Sequence, residues 1–178
     1  LFRNVLAKKF ELVPAVKGTG LSVAIPARGA AFGDLFNDGK IDVVLNNVNA
    51  PPTLLRNVNE DRHHWLELRL LGGPKSPRDA VGAVVYLTSS TQTQRGDVLS
   101  GGSFASSNDP RVHFGLGDAK TVTAIEIHWP SGALEKIRPD ALDRIYTVEE
   151  GKGITSELCE SCSLQKPLRP SAKPGEPK

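Results

Sequence analysis

Three aspartates occupy every fourth position of one short loop, at Asp34, Asp38 and Asp42. Gly39 follows the second aspartate, and the apolar run 43–45 follows the third. Hard cations such as Ca²⁺ bind clustered oxygen ligands on a tight turn. The spacing therefore indicates a calcium-binding loop that leads directly into a buried strand.

This loop is not an EF-hand, although it is acidic and contains a glycine. Phe36 stands at the third position, where an EF-hand needs an oxygen ligand, and Leu45 stands where it needs a bidentate glutamate. The alternative to a metal site is a turn that the carboxylates of Asp34 and Asp38 cap through hydrogen bonds. Both interpretations stay open at the level of the sequence.

A second group of polar residues begins at a turn at Asp109. On a strand, Arg111 and His113 share one face, where they could form a small cluster with Asp109. We interpret this cluster as a hydrogen-bond network that fixes the turn, and as a candidate binding site. A catalytic role would require Ser103 or Ser106 to converge on the same cleft, and we expect no enzyme.

Trp129 is a candidate for carbohydrate binding, because an exposed indole can stack on a sugar ring. Its alternative role is core packing, which we expect for at least one of Trp65 and Trp129. A carbohydrate-binding module is therefore the main alternative to a protein-binding scaffold.

Runs rich in β-branched and aromatic residues, separated by Gly, Pro and Asn turns, predict a series of short strands. In the later part of the chain these runs are 64–71, 83–88, 92–99, 111–116, 122–129, 134–138 and 145–149. Seven strands at this spacing are typical of a β-sandwich.

The chain divides into three predicted parts. In residues 1–57, the opening Leu-Phe-Arg-Asn at 1–4 returns as Leu-Leu-Arg-Asn at 54–57, an interval of about 50 residues that is compatible with one propeller blade. Residues 58–153 contain the sandwich strands. The polar, proline-rich residues 154–178 predict a disordered tail.

Composition excludes some classes of partner. A formal net charge of +2 over 178 residues gives no strong attraction to nucleic acid. No apolar run approaches the roughly 20 residues of a membrane helix, so we expect no membrane span.

Cys159 and Cys162 could be a redox pair, half of a zinc site or a local disulfide. We interpret them as an incidental or disulfide-linked pair in the tail.

The acidic loop resembles the calcium-binding turn of the FG-GAP/VCBS repeat of β-propellers. The resemblance rests on Ala31-Phe32-Gly33-Asp34, Asn37-Asp38-Gly39, Asp42 and the strand Val43 to Leu45. It implies calcium ligation by the carboxylates of Asp34, Asp38 and Asp42 and by the carbonyl of Lys40. Phe36 departs from the repeat by removing one oxygen ligand, so the binding implied is weak.

Residues 60–150 resemble the ASPIC/UnbV domain, named from a cartilage acidic protein and a bacterial relative. The motifs are Ser100-Gly101-Gly102-Ser103-Phe104-Ala105-Ser106-Ser107-Asn108-Asp109-Pro110-Arg111-Val112-His113-Phe114-Gly115-Leu116-Gly117 and Val122-x-x-Ile125-x-Ile127-x-Trp129-Pro130-Ser131-Gly132. In that family the domain follows FG-GAP/VCBS repeats, so further blades are expected upstream of this chain. The resemblance implies a secreted, periplasmic or cell-surface location.

The sequence thus predicts an all-β protein, with a β-propeller blade fragment followed by a β-sandwich-like ASPIC/UnbV domain. The expected function is an extracellular or cell-surface binding and scaffold module with a weak calcium-binding loop. Its ligand is expected to be a protein or a carbohydrate, recognised through Asp109, Arg111, His113 and Trp129.

Overall fold

A computed structural model of the protein describes residues 2–5, 8–90 and 92–159. The regular structure of this part is β-strand, apart from one 3₁₀ turn at Gly20–Ser22. The strands are β1 Phe2–Val5, β2 Lys9–Leu12, β3 Ala27–Gly33, β4 Asp42–Asn47, β5 Thr53–Leu55, β6 His64–Leu71, β7 Val84–Ser89, β8 Thr93–Asp97, β9 Val112–Gly117, β10 Val122–His128, β11 Leu134–Ile137, β12 Arg144–Glu149 and β13 Gly153–Cys159. Within these ranges, no helix has the length and hydropathy to cross a membrane.

Strands β6 to β13 build two four-stranded sheets, in the orders β11-β10-β7-β8 and β13-β12-β6-β9. In the second sheet, β6 and β12 run parallel. Alternate residues of a strand point to opposite faces, so Leu66 and Leu68 of β6 enter one core with Val85 and Leu87 of β7. The all-β, sandwich-like fold predicted from the sequence is confirmed.

The seven predicted strands coincide with β6 to β12 to within two residues at either end. The predicted disorder from residue 154 is wrong for residues 154–159, which belong to β13 and pair with β12. Most side chains of β13 are exposed, so the strand is held by backbone hydrogen bonds and its sequence lacks a buried apolar pattern. Residues 160–178, with Cys162, lie outside the described residues.

The N-terminal part forms a three-stranded antiparallel sheet, β3-β4-β5, and a separate hairpin, β1-β2. The acidic loop, residues 34–42, connects β3 to β4 and ends at the first residue of β4. Propeller blades are usually four-stranded, whereas this sheet has three strands of its own.

The free edge of β3 contacts the segment that leads into β9. The backbone N–H of Asp109 donates to Phe32 O at 2.9 Å, and Phe32 N donates to Asn108 Oδ1 at 3.1 Å. Ser106 Oγ donates to Ala30 O at 2.8 Å. Residues 106–109 therefore cover the edge of β3 and join the N-terminal sheet to the sandwich.

Candidate functional site

The carboxylates of the acidic loop close the loop on itself. Asp34 is fully buried and accepts the backbone N–H of Asp38 at 3.0 Å and of Gly39 at 2.7 Å, one on each oxygen. Asp42, also buried, accepts the N–H of Asn57 at 2.8 Å and of Leu35 at 3.3 Å. Two buried carboxylates thus satisfy four backbone donors, as in a capped turn.

Asp38, the remaining aspartate of the loop, is more exposed to solvent than Asp34 and Asp42. Asp38 Oδ1 accepts the Lys40 N–H at 3.2 Å, and its Oδ2 lies 3.8 Å from Arg56. The guanidinium carbon of Arg56 also lies 4.2 Å from the centre of the Phe36 ring. Within the described residues no group of three or more His, Cys, Asp or Glu side chains forms a metal site, so Asp34, Asp38 and Asp42 do not form a preassembled cage.

Arg111 connects the acidic loop to the sandwich. Its Nε donates to Asp109 Oδ2 at 2.8 Å, its Nη1 to Asn37 Oδ1 at 2.7 Å, and its Nη2 to the backbone carbonyl of Asp34 at 2.6 Å. Nη1 also lies 3.0 Å from Glu67 Oε2. We call these five residues the Arg111 cluster.

Glu67 is the least solvated charged group of the Arg111 cluster, with 1 % of its side chain exposed. Its Oε2 has no hydrogen bond of good geometry, despite the short distance to Arg111. Burial raises the pKa of this carboxyl to about 8; Arg111 opposes the shift, and the carboxylates of Asp109 and Asp34 add to it. The docked loop therefore favours a protonated Glu67.

Beside this cluster, the loop packs on an aromatic pair. Trp65 and His113 stack with ring centroids 6.1 Å apart and an interplanar angle of 8°, and His113 Nε2 lies 2.9 Å from Gly39 O. A Cβ on Gly39 would lie 2.2 Å from the indole, and Gly39 has φ of +78°. Only glycine fits this position without strain.

The structure brings some of the predicted site residues together. Asp109 and Arg111 contact each other and the loop, whereas His113 contacts the loop separately, through the carbonyl of Gly39. Ser106 donates to the edge of β3 rather than to these groups.

Trp129 is not a sugar-stacking platform in this structure. Its side chain belongs to the sandwich core with 3 % exposure, and its Nε1 donates to Glu135 Oε2 at 3.0 Å. The carbohydrate hypothesis based on an exposed Trp129 ring is therefore wrong, because the ring faces the core of the sandwich. Trp65 is buried as well.

Sequence reasoning missed two members of the Arg111 cluster, Glu67 and Asn37. Glu67 is the one acid in the run Trp65 to Leu71, and a charge in an otherwise apolar strand is a signal of a buried ion pair. Asn37 adopts φ of +56°, which asparagine tolerates better than most residues. Its partner, Arg111, lies 74 residues away, and no local pattern identifies that pairing.

Comparison with known proteins finds a family resemblance for most of the sandwich. A candidate cell adhesion protein from Bacteroides uniformis ATCC 8492, solved at 1.67 Å, aligns with 82% of this chain and 68% of its own, at 12% identity and a TM-score of 0.36. The search of curated proteins finds no match. Residues 73–155 match the family described as ASPIC and UnbV, which confirms that resemblance for the region from the turn after β6 into β13.

Proposed function

We propose that this chain is a binding and scaffold module of the cell surface or the extracellular space, and not an enzyme. The observation that carries the proposal is the Arg111 cluster. The guanidinium is fully engaged by the acidic loop and by Asp109 and Glu67. A charged group used in this way fixes two structural units against each other, which is a structural role rather than a catalytic one.

The N-terminal part is proposed to be a partial FG-GAP/VCBS repeat. The acidic loop joins two antiparallel neighbours, β3 and β4, as the turn of such a repeat would. Residues 106–109 lie along β3 in the place of a fourth strand. Such a fragment gains stability from packing on its neighbour, since one repeat buries little apolar area alone.

Weak calcium binding by the acidic loop belongs to the same proposal. The carboxylate oxygens of Asp34, Asp38 and Asp42 that accept one N–H each retain a second lone pair. Carboxylates on one turn are the ligands that Ca²⁺ prefers. Binding requires the Asp38 side chain to turn away from Lys40 N and Arg56, which lowers the affinity.

The test is a calcium titration by calorimetry on the chain and two variants. We expect saturable binding with a dissociation constant of about 10⁻⁴ to 10⁻³ M, as for extracellular modules. Asp38→Ala should lose it, and Asp118→Ala, a matched change at a fully exposed aspartate, should keep it. Absence of heat up to about 10 mM calcium, with the protein folded by circular dichroism, would remove calcium from the proposal.

The surface or extracellular location is a separate part of the proposal. Fractionation of source cells, followed by protease treatment of intact cells, tests it. Recovery of the protein in the cytosolic fraction would contradict a surface or extracellular role.

A further inference from the structure

The outer face of the sheet β13-β12-β6-β9 carries a transverse row of polar side chains. In the register of the sheet, Arg69 of β6 pairs with Thr147 of β12, and Thr147 pairs with Ser156 of β13. Residues paired across neighbouring strands have side chains on the same face. Because Leu68 and Leu70 face the core, Arg69 and its row face outward.

These three residues line an open groove of about 590 Å³, which we call the Arg69 groove. Asn37 of the acidic loop also lines the groove, and Ile145 and Leu158 contribute apolar surface. The groove thus combines hydroxyls, a guanidinium and a small apolar patch, so several polar groups converge on one concave surface.

Most charges around the Arg69 groove are already neutralised. Asp109 pairs with Arg111, and Glu157 pairs with Arg144 at 2.9 Å. Arg69 and Asp79 are different: within residues 2–5, 8–90 and 92–159, neither side chain forms an ion pair or a hydrogen bond with another protein group. The groove therefore offers one free cation and one free anion beside the hydroxyls of Thr147 and Ser156.

We propose that the Arg69 groove binds an acidic saccharide, with a uronate carboxylate on Arg69 and sugar hydroxyls on Thr147, Ser156 and Asp79. This inference rests on the proposed binding function and names the ligand class. A planar guanidinium binds a carboxylate through two parallel N–H···O bonds, and the Asp79 carboxylate accepts hydrogen bonds from sugar hydroxyls.

The same charges disfavour two other ligands. A phosphopeptide would place a dianionic phosphate beside the unpaired Asp79 carboxylate, and repulsion between like charges at close range costs free energy. A neutral sugar would leave Arg69 without a partner. Among the residues that the structure describes, no aromatic ring lines the groove, so affinity should come from polar contacts rather than from stacking.

The test is titration of the full chain with tetragalacturonic acid, followed by calorimetry and by NMR shifts of the Arg69, Thr147 and Ser156 amides. We expect binding that Arg69→Gln weakens at least about tenfold, the cost of a lost charge-assisted contact. The methyl-esterified oligosaccharide should bind at least about tenfold more weakly for the same reason. Arg138→Gln, a matched change at an exposed arginine beyond β11, should leave affinity unchanged.

Three results would overturn the inference: no binding to folded protein at millimolar sugar, equal binding of the ester, or equal binding by Arg69→Gln. Full competition by millimolar inorganic phosphate would also overturn it, because a general anion site would then explain the affinity. Calcium binding and cell fractionation involve none of the groove residues. Failure of the sugar experiment is therefore distinguishable from failure of the proposed function.

Discussion

Replacing Arg111 by methionine should separate the acidic loop from the sandwich. Methionine keeps much of the side-chain volume but donates no hydrogen bonds. The substitution leaves the Asp109 carboxylate, Asn37 Oδ1 and the carbonyl of Asp34 without their donor, and it removes the cation beside the buried Glu67. The structure therefore predicts a large loss of stability from one exchange.

Removing one partner of a buried ion pair costs about 3–5 kcal/mol. Because the Glu67 carboxyl can take up a proton, part of that cost is relieved, and we expect about 3 kcal/mol at pH 7. Small domains have a total stability of about 5–15 kcal/mol, so the loss is easily measured. Urea unfolding followed by tryptophan fluorescence gives the free energy from the midpoint and slope.

Arg95→Met is the matched control for this experiment. Arg95 pairs with Asp97 at the surface, and exposed pairs contribute little, so the unfolding midpoint should not change. A loss in Arg111→Met below about 1 kcal/mol, the size expected for an exposed pair, would refute the reasoning. It would show that the guanidinium does not hold the loop.

Two further predictions concern the same interface. Glu67 has a pKa of about 8 in the folded protein and 4.5 as its reference value. Its contribution to the free energy of unfolding is therefore complete below pH 4.5 and is lost as the pH rises through about 8. The unfolding free energy should fall over this range, and Glu67→Gln should remove that part of the pH dependence. An unchanged slope in the variant would contradict the assignment. Gly39→Ala should lower the melting temperature, because the new Cβ would clash with Trp65 and the backbone φ of +78° is strained for alanine. The control Gly101→Ala should not lower it, since a Cβ there meets nothing within 4 Å. Equal melting temperatures of the two variants would show that the loop is not packed on Trp65.

The sandwich could be predicted from the sequence because its strands carry local information. The run 64–71, whose Leu66 and Leu68 face the core, was predicted as a strand from its own residues, and turn residues marked the strand ends. Strand β13 lacked this signal, because its order comes from pairing with β12 rather than from a buried face. Trp129 was misassigned as a candidate platform because residue type alone does not reveal which face of the sheet it occupies.

The Arg111 cluster was only half predictable. Asp109 and Arg111 are two residues apart, so strand geometry placed them together. Their partners Asn37 and Glu67 come from distant segments, and only the fold brings them within 3.0 Å of the guanidinium. Whether the carboxylates of a turn cap backbone N–H groups or bind a cation depends on side-chain rotation, which spacing does not encode.

Amide hydrogen exchange at the acidic loop gives the sharpest check that Arg111 and the buried aspartates hold the loop on the sandwich. The N–H groups of Gly39 and Asn57 donate to Asp34 and Asp42, so both should be protected nearly as strongly as the amides of β6, and Arg111→Met should lower their protection selectively. Exchange of both amides at the rates of an unstructured peptide, while β6 stays protected, would contradict a docked loop and separate the N-terminal sheet from the sandwich.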